Sequence, residues 1–216
     1  MNLAGSTVKS AGPRVVIAIP LAGHSIYWKV VAAILELEKP ARSDLMVFQG
    51  ALIDRARNHL AQQMLDHPMK ATHLFFLDSD IVPEPDTLTR LLAHKRPIVS
   101  GVYRRRLFPH EPMAFVKKKN ELSPIALRKG GGMVSVDYVG GGCLLIERKV
   151  FEKLKSPWFL NEWKEGRYLS EDFYFCEKAR EVGFKIEVDT SIRPLHLEPM
   201  GVGTDEAGEA QWAPVF

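Results

Sequence analysis

Residues 72–81 read Thr-His-Leu-Phe-Phe-Leu-Asp-Ser-Asp-Ile, an apolar run that stops at two carboxylates separated by one residue. Leu74 to Leu77 has the pattern of a strand covered on both faces, so Asp78 and Asp80 emerge at its carboxyl end. That edge is where open α/β sheets bind ligands. Two carboxylates on one tight turn suit a hard divalent cation, Mg²⁺ or Mn²⁺, whose remaining positions suit phosphate oxygens. Nucleotide-diphosphate binding is the chemistry this stretch points to, against a purely structural alternative in which an Asx-turn closes the strand.

The sequence around this strand alternates in type. Arg14 to Pro20 reads as a buried strand stopped by proline. A helical pattern follows from Ser25 to Glu38, then a short strand from Asp44 to Phe48. Ile53, Ala56, Leu60 and Met64 share one face of a second helix that ends before Pro68. Beyond the aspartates, Glu84-Pro85-Asp86 opens a helix to His94, and Pro97 to Gly101 is a fourth strand. This order predicts an α/β domain of Rossmann-like type, with a mainly parallel central sheet flanked by helices. The second half is less regular. It offers strands at 133–136 and 143–147, a short helix from Lys149, a helix from Glu171 to Val182 closed by Gly183, and a strand from Phe184 to Val188. We expect a flexible amino terminus over residues 1–12, one domain over 13–198, and a tail or lid over 199–216.

With 216 residues, 25% of them charged and 46% hydrophobic, the chain has the composition of an ordinary globular protein with room for one good core. No apolar run approaches the roughly 18 residues of a membrane span, and the first ten residues lack the apolar core of a signal peptide. The expectation is a cytoplasmic protein. Cys143 and Cys176 are the only cysteines, without Cys-x-x-Cys spacing, and read as reduced core residues. The net charge of +3 is too small to imply nucleic-acid binding for the whole chain. Between Tyr103 and Gly130, however, eight basic residues face two acidic ones, a stretch that suits either solvent or an anionic donor or acceptor.

Two further features carry chemistry. Glu171-Asp172 follows Leu169-Ser170, where serine can cap a helix and place both carboxylates in its first turn. His196 lies beyond the last expected strand among apolar residues, as a buried structural histidine or as a ligand that completes the set begun by the aspartates.

In this order, the pieces resemble glycosyltransferases of the GT-A fold, in particular the family-two-like enzymes and small bacterial and phage relatives. The resemblance rests on the strand ending in Pro20, Ala56-Arg57-Asn58, Asp78-Ser79-Asp80, the run from Tyr138 through Gly140-Gly141-Gly142 to Ile146, Ser170-Glu171-Asp172 and His196. It implies that Asp78 and Asp80 hold a divalent cation, Mn²⁺ or Mg²⁺, on the diphosphate of a UDP- or GDP-sugar, with His196 as third protein ligand. Pro20 would line the nucleoside pocket. Arg57 and Asn58 would approach the base or phosphates, Ser79 would belong to the donor motif, and Gly141 and Gly142 would let the chain pass close to the sugar. In inverting members the acidic pair supplies the general base, here Asp172, with Glu171 supporting it or binding the acceptor.

The expected activity is glycosyl transfer, hexosyl or related, to a hydroxyl on a glycan, a lipid-linked saccharide, or a hydroxymethylated DNA base met by the basic stretch from Arg104 to Lys129. The alternatives are nucleotidyl transfer, for which no Walker-type phosphate loop is present, and a non-catalytic module that binds sugar nucleotides or nucleic acid.

Overall fold

The computed structural model describes residues 12–214 apart from 22, 24, 120, 165 and 205–208. The flexible amino terminus expected over 1–12 therefore lies, except for residue 12, outside the described residues.

The first half alternates as expected: β1 (Val15–Leu21), α1 (Trp28–Glu36), β2 (Ser43–Gln49), α2 (Ile53–Asp66), β3 (His73–Leu77), β4 (Ile81–Val82), α3 (Thr87–Ala93) and β5 (Ile98–Gly101). The second half contributes β6 (Ala114–Lys118), β7 (Glu121–Pro124), β8 (Met133–Val136), β9 (Tyr138–Val139), β10 (Cys143–Glu147) and α4 (Arg148–Lys153). It ends with β11 (Glu162–Lys164), β12 (Arg167–Leu169), α5 (Glu171–Glu181), β13 (Ile186–Asp189), β14 (Leu195–His196), β15 (Met200–Thr204) and β16 (Ala210–Pro214). The tail thus forms an antiparallel pair, with Val202 opposite Trp212.

A seven-stranded sheet in the order β2-β1-β3-β10-β5-β13-β8 organises the domain. β1, β2, β3, β5 and β13 run in one direction, whereas β10 and β8 run against their neighbours. The sheet is mainly parallel, with flanking helices, as the alternation predicts.

Strand periodicity sorts the core into two layers, because successive side chains point to opposite faces. Val16, Ala18, Leu74 and Phe76 face α2, α4 and α5 through Leu60, Met64, Phe151 and Phe175. Ile17, Ile19, Phe75 and Leu77 face α1 and α3 through Val30, Ile34, Leu88 and Leu91. Both cysteines are buried and unbridged. α1 is shorter than its sequence pattern at both ends, since Tyr27 and Leu37 adopt extended backbone.

The parallel strands deliver their carboxyl ends to one edge: Leu21, Leu77, Gly101 and Asp189 are the last residues of β1, β3, β5 and β13. Gly140 to Gly142 reach the same edge because antiparallel β10 starts there, with Cys143 opposite Leu77.

Candidate active site

The turn after β3 brings its two aspartates into different surroundings. The Asp78 backbone N–H donates to the Gly142 carbonyl at 3.1 Å, which ties the turn to the glycine run. The Asp78 carboxylate meets Arg57, whose Nη2 donates to Oδ1 at 2.9 Å and to Oδ2 at 3.1 Å. Arg57 also donates through Nε to Glu171 Oε1 at 3.0 Å and through Nη1 to the Gly141 carbonyl at 3.3 Å. Its guanidinium lies over the Phe76 ring, 5.2 Å from the centroid, and the residue is only 2% exposed. Burial alone would lower its pKa, but the charges of Asp78, Glu171 and Asp172 more than reverse that, so it stays protonated. The Asp78 carboxyl is raised by burial and by Asp80, with Arg57 pulling the other way.

Arg57 is therefore a buried clamp. The helical spacing of Arg57, Leu60, Ala61 and Met64 puts it on the packed face of α2, where all four are buried. Asn58 is committed inward as well. Its Nδ2 donates to the carbonyls of Asp54 and Phe159, and its Oδ1 accepts from the N–H groups of Trp158 and Phe159. The partners of this pair in the structure are protein groups: Asn58 ties down the loop before β11, and Arg57 joins the strand end to the acidic pair.

Glu171 and Asp172 open α5, both buried. Ser170 occupies the N-cap position, but its hydroxyl makes no cap bond to the helix backbone and donates instead to Asp172 Oδ1. The same oxygen accepts from the Phe173 N–H at 2.8 Å, and Oδ2 accepts from the Gly141 N–H at 3.3 Å. Burial, then the neighbouring charge of Glu171, pushes the Asp172 carboxyl up to about 6.

Tyr103, unmarked in the sequence reading, closes this chamber. Its hydroxyl accepts from the Gly142 N–H at 3.0 Å, and burial with the charges of Asp78 and Asp172 keeps it protonated well above pH 10. Position was the available signal, because Tyr103 follows the carboxyl end of β5 as Asp78 follows that of β3. The glycine run makes room for these side chains. A Cβ on Gly140 would sit 2.2 Å from the Tyr103 hydroxyl, and one on Gly141 would sit 2.7 Å from the Arg57 guanidinium carbon. Close approach of protein to protein accounts for these two glycines.

Asp80 faces the other way. Its Oδ2 lies 3.4 Å from His196 Nε2 and 3.4 Å from Arg106 Nη1. His196 arrives on β14, which pairs antiparallel with β4 and sets His196 opposite Ile81. Its Nδ1 donates to the Arg104 carbonyl at 2.7 Å, which leaves Nε2 with the lone pair in the neutral ring. Burial opposes charging of this imidazole, yet Asp80 and the Arg104 carbonyl outweigh it and raise the pKa. Burial would likewise raise the Asp80 carboxyl, but His196 and Arg106 hold it below its usual range.

Among the described residues no group of three His, Cys, Asp or Glu side chains is placed to hold a metal ion. The expected ligand set of Asp78, Asp80 and His196 is not assembled, because Asp78 is turned toward Arg57. Asp80 and His196 do fit a cation as a pair. Two adjacent ligands of an octahedral Mg²⁺-like ion, each about 2.1 Å from the metal, lie roughly 3 Å apart, close to the 3.4 Å between Oδ2 and Nε2. Ser79 contributes its carbonyl to the Tyr27 N–H at 3.2 Å, and Pro20 is buried near the end of β1, opposite Phe48.

No protein-family model and no curated protein matches the chain. Solved structures do match. A197 from STIV aligns with a TM-score of 0.64 at 18% identity, over 91% of this chain and 92% of that one. GalNAc-T7 with UDP, GalNAc and Mn²⁺ aligns with a TM-score of 0.56 at 15% identity, over 85% of this chain and 44% of that one. S. aureus TarS 1–349 in complex with UDP-GlcNAc aligns with a TM-score of 0.53 at 13% identity, over 86% of this chain and 59% of that one. At such identities the likeness speaks to the fold alone, and that fold is the GT-A fold of the two glycosyltransferases.

Proposed function

We propose that this chain transfers a sugar from a nucleotide-diphosphate donor to a hydroxyl acceptor. The observation that carries the reading is the pair formed by Asp80 Oδ2 and His196 Nε2, 3.4 Å apart just beyond the carboxyl end of β3. UDP is the favoured nucleotide, since two structures of the same fold hold UDP or UDP-GlcNAc.

Asp80 and His196 are the residues that would hold a divalent cation, with the Arg104 carbonyl fixing the ring. A bound Mn²⁺ or Mg²⁺ supplies Lewis-acid neutralisation of the departing diphosphate. Asp172 takes the proton of the acceptor hydroxyl. The acceptor oxygen then bonds to the anomeric carbon, and the electron pair of the broken bond leaves with the nucleoside diphosphate. A carboxyl held near pH 6 is ionised at neutral pH and is a stronger base than an ordinary aspartate. The Ser170 hydroxyl and the Phe173 N–H hold Asp172 Oδ1 in place. Gly141 anchors its Oδ2, while Pro20, Ser79 and Gly142 lie along the donor side of the edge.

The test is product analysis with UDP- and GDP-sugars and Mn²⁺. Release of nucleoside diphosphate supports the reading, and release of pyrophosphate would replace it with nucleotidyl transfer. A variant Asp172→Asn with unchanged turnover would remove Asp172 as the base, and absence of turnover with every donor would reduce the protein to a binding module.

A further inference from the structure

The central sheet ends at β2 on one side, and no strand lies beyond it among the described residues. Edge strands are usually blunted by proline, a bulge or charge. β2 pairs with β1 residue for residue over Ser43–Gln49, so it holds no bulge, and it contains no proline and a single charge, Asp44. The Val15 N–H donates to the Arg42 carbonyl. The even-numbered residues of this parallel ladder therefore bond β1, while Leu45 and Val47 turn their main chain outward. The Leu45 N–H donates to the adjacent Asp44 carboxylate at 2.8 Å, a local bond in place of a ladder.

The side chains beside this edge are apolar. Leu45 and Val47 lie opposite Ile17 and Ile19 and point to the α1 face of the sheet. α1 leans the other way, with the Tyr27 N–H donating to the Ser79 carbonyl and the Glu38 N–H to the Pro85 carbonyl, and leaves that half of the face uncovered. On α1, Trp28, Val31 and Leu35 form an outer stripe at i, i+3 and i+7, which the right-handed β1-α1-β2 crossover turns toward β2. These five side chains are between 41% and 79% exposed, whereas Ile17 and Ile19 beside them are 1% exposed. Together they present on the order of 400 Å² of apolar surface, the size of patch that marks an interaction site.

We infer that this edge is a twofold interface, at which β2 of a second copy of the chain adds antiparallel to β2 and joins two seven-stranded sheets into one. The inference is independent of the transferase reading. A twofold axis through Met46 sets Leu45 of each copy opposite Val47 of the other and Asp44 opposite Phe48, so apolar side chains meet and no like charges are opposed. The same axis aims the outward N–H and C=O groups of Leu45 and Val47 at one another. The apolar patch supplies about half of the ~800 Å² that each partner of a standard interface buries, and about 23 Å of strand edge adds to it. A lipid surface fits less well, because it cannot pair a strand edge. The exposed charges nearby are also mixed, Lys39 and Arg42 with Glu36, Glu38 and Asp44, where an anionic membrane selects basic residues.

Sedimentation equilibrium of the full chain from about 1 to 100 µM tests this, since interfaces of this size have µM or tighter affinity. The expected result is a monomer-dimer equilibrium. Val47→Lys places a charge within the pairing, and Leu35→Lys alters only the helix stripe. Each should weaken dimerisation by at least ~10-fold, while the Tm at the dilute end stays within about 2 °C of wild type. Met46→Cys should give a covalent dimer on oxidation with copper phenanthroline, because residue 46 of the two copies forms a non-hydrogen-bonded pair with Cα atoms about 4.5 Å apart, within disulfide reach. The native cysteines are buried and do not compete. A monomer at every concentration, a dimer that both lysine variants leave unchanged, or a dimer that Met46→Cys does not cross-link would overturn the inference. So would a monomeric wild-type chain that binds phosphatidylcholine vesicles and loses that binding in both lysine variants, which would assign the patch to a lipid surface.

Discussion

Asp78 and Asp80 are two residues apart on one turn and similarly exposed, at 26% and 20% of their side chains, yet they meet different partners. Asp78 is gripped by a guanidinium that also holds Glu171 and the Gly141 carbonyl. Asp80 meets Arg106 and an imidazole whose second nitrogen is fixed by a backbone carbonyl. A pair of carboxylates in a metal-like pattern is therefore not a pair of equivalent ligands. What surrounds each is set by the rest of the fold, a buried arginine from α2 for Asp78, and a histidine from β14 together with Arg106 for Asp80.

The sharpest way to break this contrast is to remove the clamp. Arg57→Leu leaves Asp78, Glu171 and Asp172 close together with no buried cation among them, and removing one partner of a buried ion pair costs about 3–5 kcal/mol. For a domain of this size the Tm should fall by roughly 6–20 °C in a calorimetric scan. An unchanged Tm would show that the clamp holds nothing. Next, Asp172→Asn should lower turnover by about 10²- to 10⁴-fold without loss of stability at neutral pH. The sign follows from the raised pKa: the folded protein binds the Asp172 proton more tightly than the unfolded chain, so ionisation between pH 4 and about 6 weakens the fold. An uncharged isostere avoids that cost. For the same reason wild-type turnover should fall about tenfold per pH unit below about 6, and a flat profile down to pH 5 would exclude Asp172 as the base.

Around Asp80 the expected effects are in binding. Asp80→Asn should leave the metal-free Tm within about 4 °C of wild type, since partly exposed ion pairs contribute about 1 kcal/mol or less. The same variant should weaken Mn²⁺-dependent UDP binding by at least ~10-fold, measured by titration. His196→Ala should have the same binding phenotype, smaller in size. If it lowers metal-free stability more than it lowers UDP affinity, the histidine is a core residue and not a ligand.

Much of this was legible in the sequence. Alternating strand and helix patterns located β1, β2, β3 and β5 but not the two-residue β4, and the abrupt end of the Leu74–Leu77 run placed both aspartates at the carboxyl edge of the sheet. The burial of Arg57 was not read from the sequence, although it shares the helical spacing of Leu60, Ala61 and Met64, because a charged side chain in that row looks solvent-exposed until its partners are known. Those partners come from far away: Arg57 and Glu171 are separated by 114 residues. The same distance hid the division between Asp78 and Asp80, since the direction of a turn side chain depends on what the rest of the chain packs beside it. Ser170 shows a subtler limit. Its position at the helix start was correctly read, whereas its hydroxyl prefers the charged Asp172 oxygen to the helix N–H groups, a charge-assisted bond in place of a neutral one.

The most direct test is anomalous diffraction at the manganese edge from crystals grown with UDP and Mn²⁺. The expected result is one manganese on Asp80 Oδ2 and His196 Nε2, facing the diphosphate, with Asp78 still bound to Arg57. Manganese bridging Asp78 and Asp80 with Arg57 displaced, or UDP bound at this edge without manganese, would contradict the division of labour between the two aspartates.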